Sequence, residues 1–289
     1  MARHFSTHRI VCWRLSRYCN RACPFCLSTS GPRIKHPGHD PFMVANRLLE
    51  LGVEKISYSG GEPFEYPLFS RLVSHVSGLG MLQLVTTNGD RLSTGVPDWV
   101  KSFEYIKLSF YGPRPVHDRL MGRGNYDQQL SLAGRLISAH NVTVGANYML
   151  STESVHHVRE FLADMAVIGF NDVLFQTYIY NRRTHVDSRF ALHDTKQVIA
   201  GLRDAVSGYA NRLPGGMKAH DYSQRHWYIV LDDLGRLTLP SSATEPDFIM
   251  GRVTDDVLQV EPEVRTSARS ALETIWKRRY ETDAIVDLS

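Results

Sequence analysis

The segment CNRACPFC, residues 19–26, decides how the rest of this sequence is interpreted. Its cysteines, Cys19, Cys23 and Cys26, are three of the four in the chain, spaced x3 and then x2. A disulfide inside so short a loop would be strained and would leave one thiol over, so the spacing favours a shared inorganic centre. Cysteine thiolates hold iron–sulfur clusters, and three ligands on a four-iron cubane leave one iron open to a small molecule. A zinc site completed by His36 or His39 is the alternative, although zinc ligands usually come as two pairs and the second pair is missing.

An aromatic residue, Phe25, stands just before the last cysteine. With it, the pattern resembles the signature of the radical S-adenosylmethionine (SAM) enzymes. The resemblance implies one 4Fe-4S cluster held by Cys19, Cys23 and Cys26, with SAM bound at the open iron through its amino and carboxylate groups. It also implies that one electron, from a flavodoxin or ferredoxin, splits SAM into methionine and a 5'-deoxyadenosyl radical. Phe25 is then expected to pack near the adenine of SAM.

Length and composition fit a globular protein. At 289 residues, the chain has room for one large α/β domain, or for one domain with an appendage. Its apolar residues never form a run of the ~18 residues that would span a membrane, and the N-terminus lacks the apolar core of a signal peptide. We therefore expect a cytoplasmic protein without membrane contact, in a reducing setting that suits cluster thiolates. The net charge of +3, with scattered Lys and Arg, gives no reason to expect nucleic acid as a partner.

Strand patterns alternate with helix patterns along most of the chain. The expected strands are residues 10–15, 55–58, 82–87, 105–109, 142–149 and 172–178, and the expected helices are 42–51, 67–76, 98–102, 126–139, 155–168 and 194–206. This alternation predicts βαβ crossovers and a parallel sheet. Six βα units are fewer than the eight of a closed barrel. We therefore predict an α/β fold with a partial (β/α)6 barrel, which the resemblance also implies.

The last quarter of the chain has a different pattern. Residues 227–239 read as a hairpin and residues 267–279 as an amphipathic helix. We divide the chain into a radical SAM core, residues 1–215, and a small C-terminal α+β extension, residues 216–289. The extension resembles the SPASM or twitch tails that hold auxiliary clusters in many relatives. Those tails need several cysteines, and this sequence has none after Cys26, so we expect a single cluster.

The motif Gly60-Gly61-Glu62-Pro63 follows the second expected strand. Glycine lets backbone come close to a ligand, and a glutamate supplies an acceptor for a cation. In βα architectures such chemistry collects at the carboxyl ends of the strands. The tetrapeptide matches the Gly-Gly-Glu-Pro motif of the radical SAM family. The match implies that Glu62 and the neighbouring backbone bind the ammonium group of SAM.

The resemblance to the radical SAM family implies further SAM contacts, at positions that match those of related enzymes. Asn88, after the third strand, is expected to touch the ribose, and Ser109, ending the fourth, the ribose or the carboxylate. Arg123, with Arg119 as the alternative, is expected to bind the carboxylate, since a guanidinium forms charge-assisted bonds with it. Asn147 in the fifth strand matches another polar SAM contact, and a satisfied buried amide is an equal alternative.

Residues that contact the substrate leave a weaker pattern. Gln176, Tyr178 and Tyr180 alternate along the sixth strand, facing the barrel, and are our candidates. For the two tyrosines, core packing is at least as good an interpretation. Cys12 lies in the first strand, outside the cysteine triplet, and is interpreted as a small buried side chain rather than a hydrogen donor.

These features lead to one main hypothesis. We expect a radical SAM enzyme that abstracts hydrogen from a small polar metabolite derived from a nucleoside, sugar or amino acid, in natural-product biosynthesis. The missing auxiliary cluster favours a lyase or isomerase reaction over an oxidoreductase: decarboxylation, elimination, rearrangement or epimerisation.

Three alternatives stay open. A peptide-modifying radical enzyme would need a peptide-recognition segment that the short N-terminus does not offer. A viperin-like nucleotide dehydratase is similar in layout, notably at Trp13 and Gly122-Arg123-Gly124, but several cavity lysines and arginines for a triphosphate cannot be placed from the sequence. The third alternative is a metal-stabilised binding protein without enzymatic activity.

Overall fold

The computed structural model describes residues 9–23, 26, 39–178, 190–221, 228–241, 246–278 and 285–288. Seven strands form a parallel series in chain order: β1 (Ile10–Arg14), β2 (Lys55–Ser59), β3 (Leu82–Thr87), β4 (Tyr105–Phe110), β5 (Thr143–Leu150), β6 (Asp172–Thr177) and β7 (Gly216–His220). The first six agree with the predicted strands, and each is followed by helix before the next strand begins. The α/β class and the partial barrel are thus confirmed, and β7 adds a seventh parallel strand.

The helices lie between these strands and at the end of the chain. They are α1 (Pro41–Glu50), α2 (Phe69–Gly78), α3 (Asp90–Ser93), α4 (Arg114–Met121), α5 (Asn125–His140), α6 (Val158–Ile168), α7 (Thr195–Val206) and α8 (Ala268–Arg278). Helix α1 begins where the Asp40 carboxylate accepts a hydrogen bond from the backbone N–H of Phe42, with proline in the first turn. Helices α3 and α4, of four and eight residues, were not predicted.

The two faces of the sheet differ in burial. On β1 and β2, Trp13 and Tyr58 are 1% and 0% exposed and their rings contact each other; Tyr58 also contacts Phe69 of α2. Every second residue of β1 and β3 points the other way and stays partly accessible. The helices therefore cover the outward face, and the inward face encloses an accessible space that we call the lumen.

Strands from the last quarter of the chain extend the same sheet at both edges. They are β8 (Ile229–Leu231), parallel to β1; β9 (Arg236–Leu239) and β10 (Phe248–Arg252), antiparallel beyond it; and β13 (Ile285–Asp287), antiparallel to β7. A separate hairpin, β11 (Val257–Glu261) and β12 (Val264–Ser267), packs near α8. The expected hairpin and C-terminal helix correspond to β8–β9 and α8. The domain boundary at residue 215 stays a prediction. In the described part of the chain, every helix is too short or too polar to span a bilayer.

Candidate functional site

The three cysteines follow β1 at its carboxyl end. We call residues 15–26 the cluster loop, of which 24 and 25 lie outside the described residues. All three thiols are reduced and half-buried. Burial, with a smaller contribution from the neighbouring Cys26, raises the pKa of Cys19 to about 11 and that of Cys23 to about 12. The thiols thus lie near enough to act on one another, as ligands of one centre must.

Hydrogen-bond donors lie near the sulfurs of Cys19 and Cys23. The backbone N–H of Arg21 lies 3.4 Å from the Cys19 sulfur, and the Asn88 amide nitrogen lies 3.7 Å from it. The Tyr111 side chain hydrogen-bonds Cys23 and lowers its pKa. Soft thiolate ligands with hydrogen bonds to their sulfurs are the donor set of iron–sulfur clusters. The residues at this site therefore fit such a cluster.

The zinc alternative depends on a histidine ligand. His39 lies against Gly235, in the turn between β8 and β9, where burial lowers its pKa. His36 lies outside the described residues. Within the described ranges, no three side chains among His, Cys, Asp and Glu converge on a single-ion site.

The glycine pair of the Gly-Gly-Glu-Pro motif lies directly beneath the cluster loop. The Gly61 N–H donates to the Ser16 carbonyl at 2.7 Å, and the Glu62 N–H donates to the Tyr18 carbonyl at 2.8 Å. A Cβ on Gly61 would sit 1.7 Å from the Tyr18 oxygen, and one on Gly60 would sit 2.5 Å from the Ser16 oxygen. The close approach that the sequence predicts is therefore made to protein backbone. A contact of these glycines with SAM stays a prediction.

The Glu62 carboxylate connects two loops. It is 2% exposed and accepts hydrogen bonds from the N–H of Phe64 at 3.1 Å, the Thr87 hydroxyl at 2.7 Å and the N–H of Asn88 at 2.8 Å. The first of these caps the short helical turn Pro63–Glu65. Burial raises the pKa of Glu62 to about 7 despite the three donors. Glu62 also acts electrostatically on Cys19, so it belongs to the same site.

The polar side chains predicted to contact SAM, those of Asn88, Ser109 and Asn147, differ in their surroundings. The Asn88 amide is directed at the cluster loop, 2.8 Å from the Asn20 side-chain oxygen. Ser109 and Asn147 are register partners on β4 and β5 and share the inward face. Asn147 is 7% exposed, and its side-chain oxygen is buried with no hydrogen-bond partner among the described residues. Such a group is expected to be satisfied by a ligand or water.

The two arginine candidates lie farther out. Arg123 is exposed on the turn that separates α4 from α5. Arg119 pairs with Glu153, and its side chain is 53% exposed. The proposed contact with the SAM carboxylate therefore stays a prediction for Arg123, and Arg119 already has an acidic partner.

Of the substrate candidates, Gln176 and Tyr178 are described, and Tyr180, like Phe25, lies outside the described residues. Gln176 faces the lumen, in register with Met149 of β5 and His220 of β7. Tyr178 is buried with Met149 in a small apolar cluster that also contacts Cys23 and Tyr111. Both candidates thus belong to the lumen or to its rim below the cluster loop.

Sequence reasoning missed β7 and its side chains. Lys218 and His220 share the inward face with Gln176. The His220 ring lies 6.1 Å from the ring of Tyr228, which immediately precedes β8 beside β1. This contact bridges the open side of the partial barrel. Strand β7 has only five residues, and the two that face inward are polar, so its sequence resembles a loop. Only the expectation of a barrel with more than six parallel strands could have indicated β7.

The interpretation of Cys12 as a small buried side chain is wrong. Its neighbours Val11 and Trp13 form the buried outward face of β1, and Cys12 faces the lumen, half-buried. Its sulfur lies 3.1 Å from the Ser59 hydroxyl. Period-two alternation with a buried tryptophan places the cysteine on the opposite face.

Comparison with known proteins gives a consistent result. The family model described as "Radical SAM superfamily" matches residues 13–165. The mycofactocin maturase MftC of Mycobacterium tuberculosis is 28% identical over 160 residues, which are 52% of this chain and 39% of MftC. An S-adenosylmethionine-dependent nucleotide dehydratase of Flammeovirga pacifica is 30% identical over 113 residues, or 36% of this chain and 39% of the relative.

Solved structures share the fold. Streptococcus suis SuiB bound to S-adenosylmethionine aligns with a TM-score of 0.66 at 15% identity, covering 96% of this chain and 66% of SuiB. SuiB has also been solved bound to its precursor peptide SuiA. The match spans about two fifths of the length of MftC and of the nucleotide dehydratase.

Proposed function

Because this chain belongs to the radical SAM superfamily, we propose that it removes a hydrogen atom from a small polar metabolite bound in the lumen. The cofactors of the family are a 4Fe-4S cluster and SAM, and Cys19, Cys23 and Cys26 are the residues that would hold the cluster. When bound, these cofactors supply a 5'-deoxyadenosyl radical that abstracts hydrogen from the substrate. We propose a flavodoxin or ferredoxin as the electron donor.

The observation that supports a small polar substrate is the composition of the lumen. Hydroxyl, amide, imidazole and cationic groups occupy inward positions of the strands. These residues are Arg14, Ser57, Ser59, Thr86, Lys107, Ser109, Asn147, Gln176, Lys218 and His220. The Asn147 side-chain oxygen is buried with no hydrogen-bond partner among the described residues, and such a group costs free energy unless a ligand or water satisfies it, so this polar wall favours a ligand that can donate hydrogen bonds.

The residues of the site would act by positioning. The Asn147 carbonyl accepts an N–H or O–H from the bound ligand, with Ser109 beside it. Gln176 and His220, on the adjoining strands β6 and β7, would orient the substrate. A carbon radical attacks whatever hydrogen is nearest, so holding one C–H in place and excluding water is most of the catalysis.

We further propose a lyase or isomerase reaction, because this sequence has no cysteines after Cys26 for an auxiliary cluster. The inward position of Cys12 gives the isomerase route a hydrogen donor. The thiol would give its hydrogen atom to the substrate radical, forming a C–H bond and a thiyl radical. One electron from the external donor and one proton from water would then restore the thiol.

A nucleotide dehydratase is the second candidate. Arg14, Lys107 and Lys218 all face inward, and cations at these positions would support the binding of a triphosphate. Lys107 is partly neutralised, since its ammonium nitrogen lies 3.4 Å from the Asp172 carboxylate, and Arg14 and Lys218 also have interaction partners. The 30% identical dehydratase supports this candidate, whereas a PqqA peptide cyclase of Gluconobacter oxydans, 25% identical over 201 residues, supports a peptide substrate.

Anaerobic reconstitution with iron and sulfide tests the proposal. Reduction in the presence of SAM is expected to yield 5'-deoxyadenosine, and Cys23→Ala is expected to abolish it because the cluster loses a ligand. Cys12→Ala removes a thiol outside the triplet and should keep the iron content of the wild type. A wild-type protein that loads a full cluster and yields no 5'-deoxyadenosine would contradict the enzymatic role.

The substrate class is then decided by deuterium transfer. Perdeuterated nucleosides, sugars and amino acids, nucleoside triphosphates, and peptides are supplied separately, and the deuterium content of the 5'-deoxyadenosine is measured. Transfer from a non-peptide metabolite supports the first candidate and transfer from a triphosphate supports the second. Transfer confined to peptides would overturn both.

The proposed contact of Glu62 with the SAM ammonium predicts a pH dependence. A cation binds the ionised carboxylate, and burial raises the Glu62 pKa to about 7. SAM affinity should therefore rise with pH, by about tenfold between pH 6 and pH 8. Calorimetric titration of the oxidised, reconstituted protein with SAM measures this change. Glu62→Gln should bind weakly at both pH values; an equal rise in that variant would assign the titration to another group.

A further inference from the structure

We propose that Arg21 is a positioning residue that holds the cluster loop against its neighbouring elements. Arg21 stands between Cys19 and Cys23 in the chain. Its guanidinium forms a bidentate pair with Asp90, with Nε 2.6 Å from one carboxylate oxygen and Nη2 2.6 Å from the other. Two parallel charge-assisted bonds fix the direction of the side chain as well as its distance.

The same guanidinium reaches a third element. Its Nη1 donates to the backbone carbonyl of Met121, the last residue of α4. A cation suits this position because the last carbonyls of a helix have no partner within it. The Met121 sulfur in turn lies 3.7 Å from the Cys23 sulfur. Arg21 thus ties the cluster loop both to the start of α3 and to the end of α4.

Asp90 also forms a hydrogen bond with a second residue of the cluster loop. Its carboxylate accepts a hydrogen bond from the Asn20 amide at 2.7 Å, in addition to the pair with Arg21. Asn20 in turn accepts from the Asn88 amide at 2.8 Å, and the Asp90 N–H donates to the Asn88 side-chain oxygen at 3.0 Å. Two consecutive residues between the cysteines are therefore held by one carboxylate at the carboxyl end of β3.

The Arg21–Asp90 ion pair is partly buried, which strengthens its effect on the cluster loop. The side chains of Arg21 and Asp90 are 25% and 18% exposed. Fully exposed ion pairs contribute little, because solvent screens them and the side chains lose entropy. A partly buried bidentate pair with a third hydrogen bond holds its geometry more firmly.

A loop that is already ordered loses less conformational entropy when its cysteines take up a cluster. The network also fixes Asn88, whose amide lies near the Cys19 sulfur. Arg21 therefore sets the relative placement of the cysteines and the β3 loop. This inference rests on the cluster of the family and not on the substrate proposed above.

Hydrogen exchange of the apo-protein tests the proposal without cluster or substrate. Arg21→Met and Asp90→Asn each remove one side of the pair, and amides of residues 15–23 are expected to exchange at least about tenfold faster. After reconstitution, both variants are expected to lose iron to a chelator faster by a similar factor. Arg17→Met is the matched control, since Arg17 pairs with Asp233 at 3.0 Å from the same segment. It should exchange and lose iron as the wild type does.

Arg21→Lys keeps the charge but not the bidentate geometry. Its amides at residues 15–23 should exchange at rates between those of Arg21→Met and of the wild type. Unchanged exchange in Arg21→Met and Asp90→Asn, or an equal change in Arg17→Met, would overturn the proposal. So would faster exchange that extends equally to β5, because the pair would then support the whole fold rather than the cluster loop. None of these outcomes depends on 5'-deoxyadenosine formation, so they separate this inference from the proposed function.

Discussion

Gly61→Ala is expected to prevent cluster loading. The new Cβ would lie 1.7 Å from the carbonyl oxygen and 2.3 Å from the carbonyl carbon of Tyr18, which are backbone atoms with no freedom to rotate away. The cluster loop would have to move off the motif and break the 2.7 Å hydrogen bond from Gly61 to Ser16. We expect iron content after reconstitution to fall by about tenfold or more, and the free energy of unfolding by about 3 kcal/mol.

Gly78→Ala is the matched control. Gly78 ends α2 with no atom within 4 Å of the added Cβ. It should load iron normally and be slightly more stable, by up to about 1 kcal/mol, since alanine loses less backbone entropy in a helix. Normal iron content in Gly61→Ala would show that the loop has another position in which it can bind a cluster.

Gly145→Ala is expected to have a comparable effect on folding but to act at the other end of the lumen. The Tyr105 hydroxyl donates to Asp172 across β5, and an added Cβ would lie 1.7 Å from that hydroxyl and 2.1 Å from an Asp172 oxygen. Lys107 depends on the same carboxylate. Displacing Tyr105 or Asp172 leaves buried polar groups without their partners, so we expect a loss of about 3 kcal/mol.

Urea unfolding measures this loss, with Gly134→Ala as the control. Gly134 lies in α5 with nothing within 4 Å of an added Cβ. That variant should match or slightly exceed the wild type in stability. If Gly145→Ala also unfolds at the wild-type midpoint, the Tyr105–Asp172 contact is not needed for the fold.

Much of the fold could be predicted because local patterns and long-range packing agree. The helix at residues 98–102 was placed at the residues where a short 3₁₀ helix occurs, Asp98–Ser102. Strands β1 and β3 could be predicted because their residues alternate between a buried face, which helices cover, and a partly accessible face. By contrast, β7 was missed because its inward residues Lys218 and His220 are polar, and its position is decided by pairing with β6.

For the site, the sequence located the loops but not the partners of each side chain. The Gly-Gly-Glu-Pro motif was expected to bring backbone close to a ligand, and that contact stays a prediction. The structure shows a close approach of its glycines to the cluster-loop backbone, which depends on how two loops meet. The same holds for Asn88, whose amide is directed at Asn20 and Cys19. Such contacts join residues about 70 positions apart, and no local pattern carries them.

The division of the strands into a buried outward face and an accessible inward face has an evolutionary consequence. Substitutions at outward positions such as Trp13 or Tyr58 alter the packing on which folding depends, whereas those at inward positions such as Gln176 leave that packing intact. Natural selection can therefore change the ligand preference of this barrel in small steps while the stability of the protein stays almost constant. A lineage built on this plan can diversify its chemistry without first acquiring surplus stability.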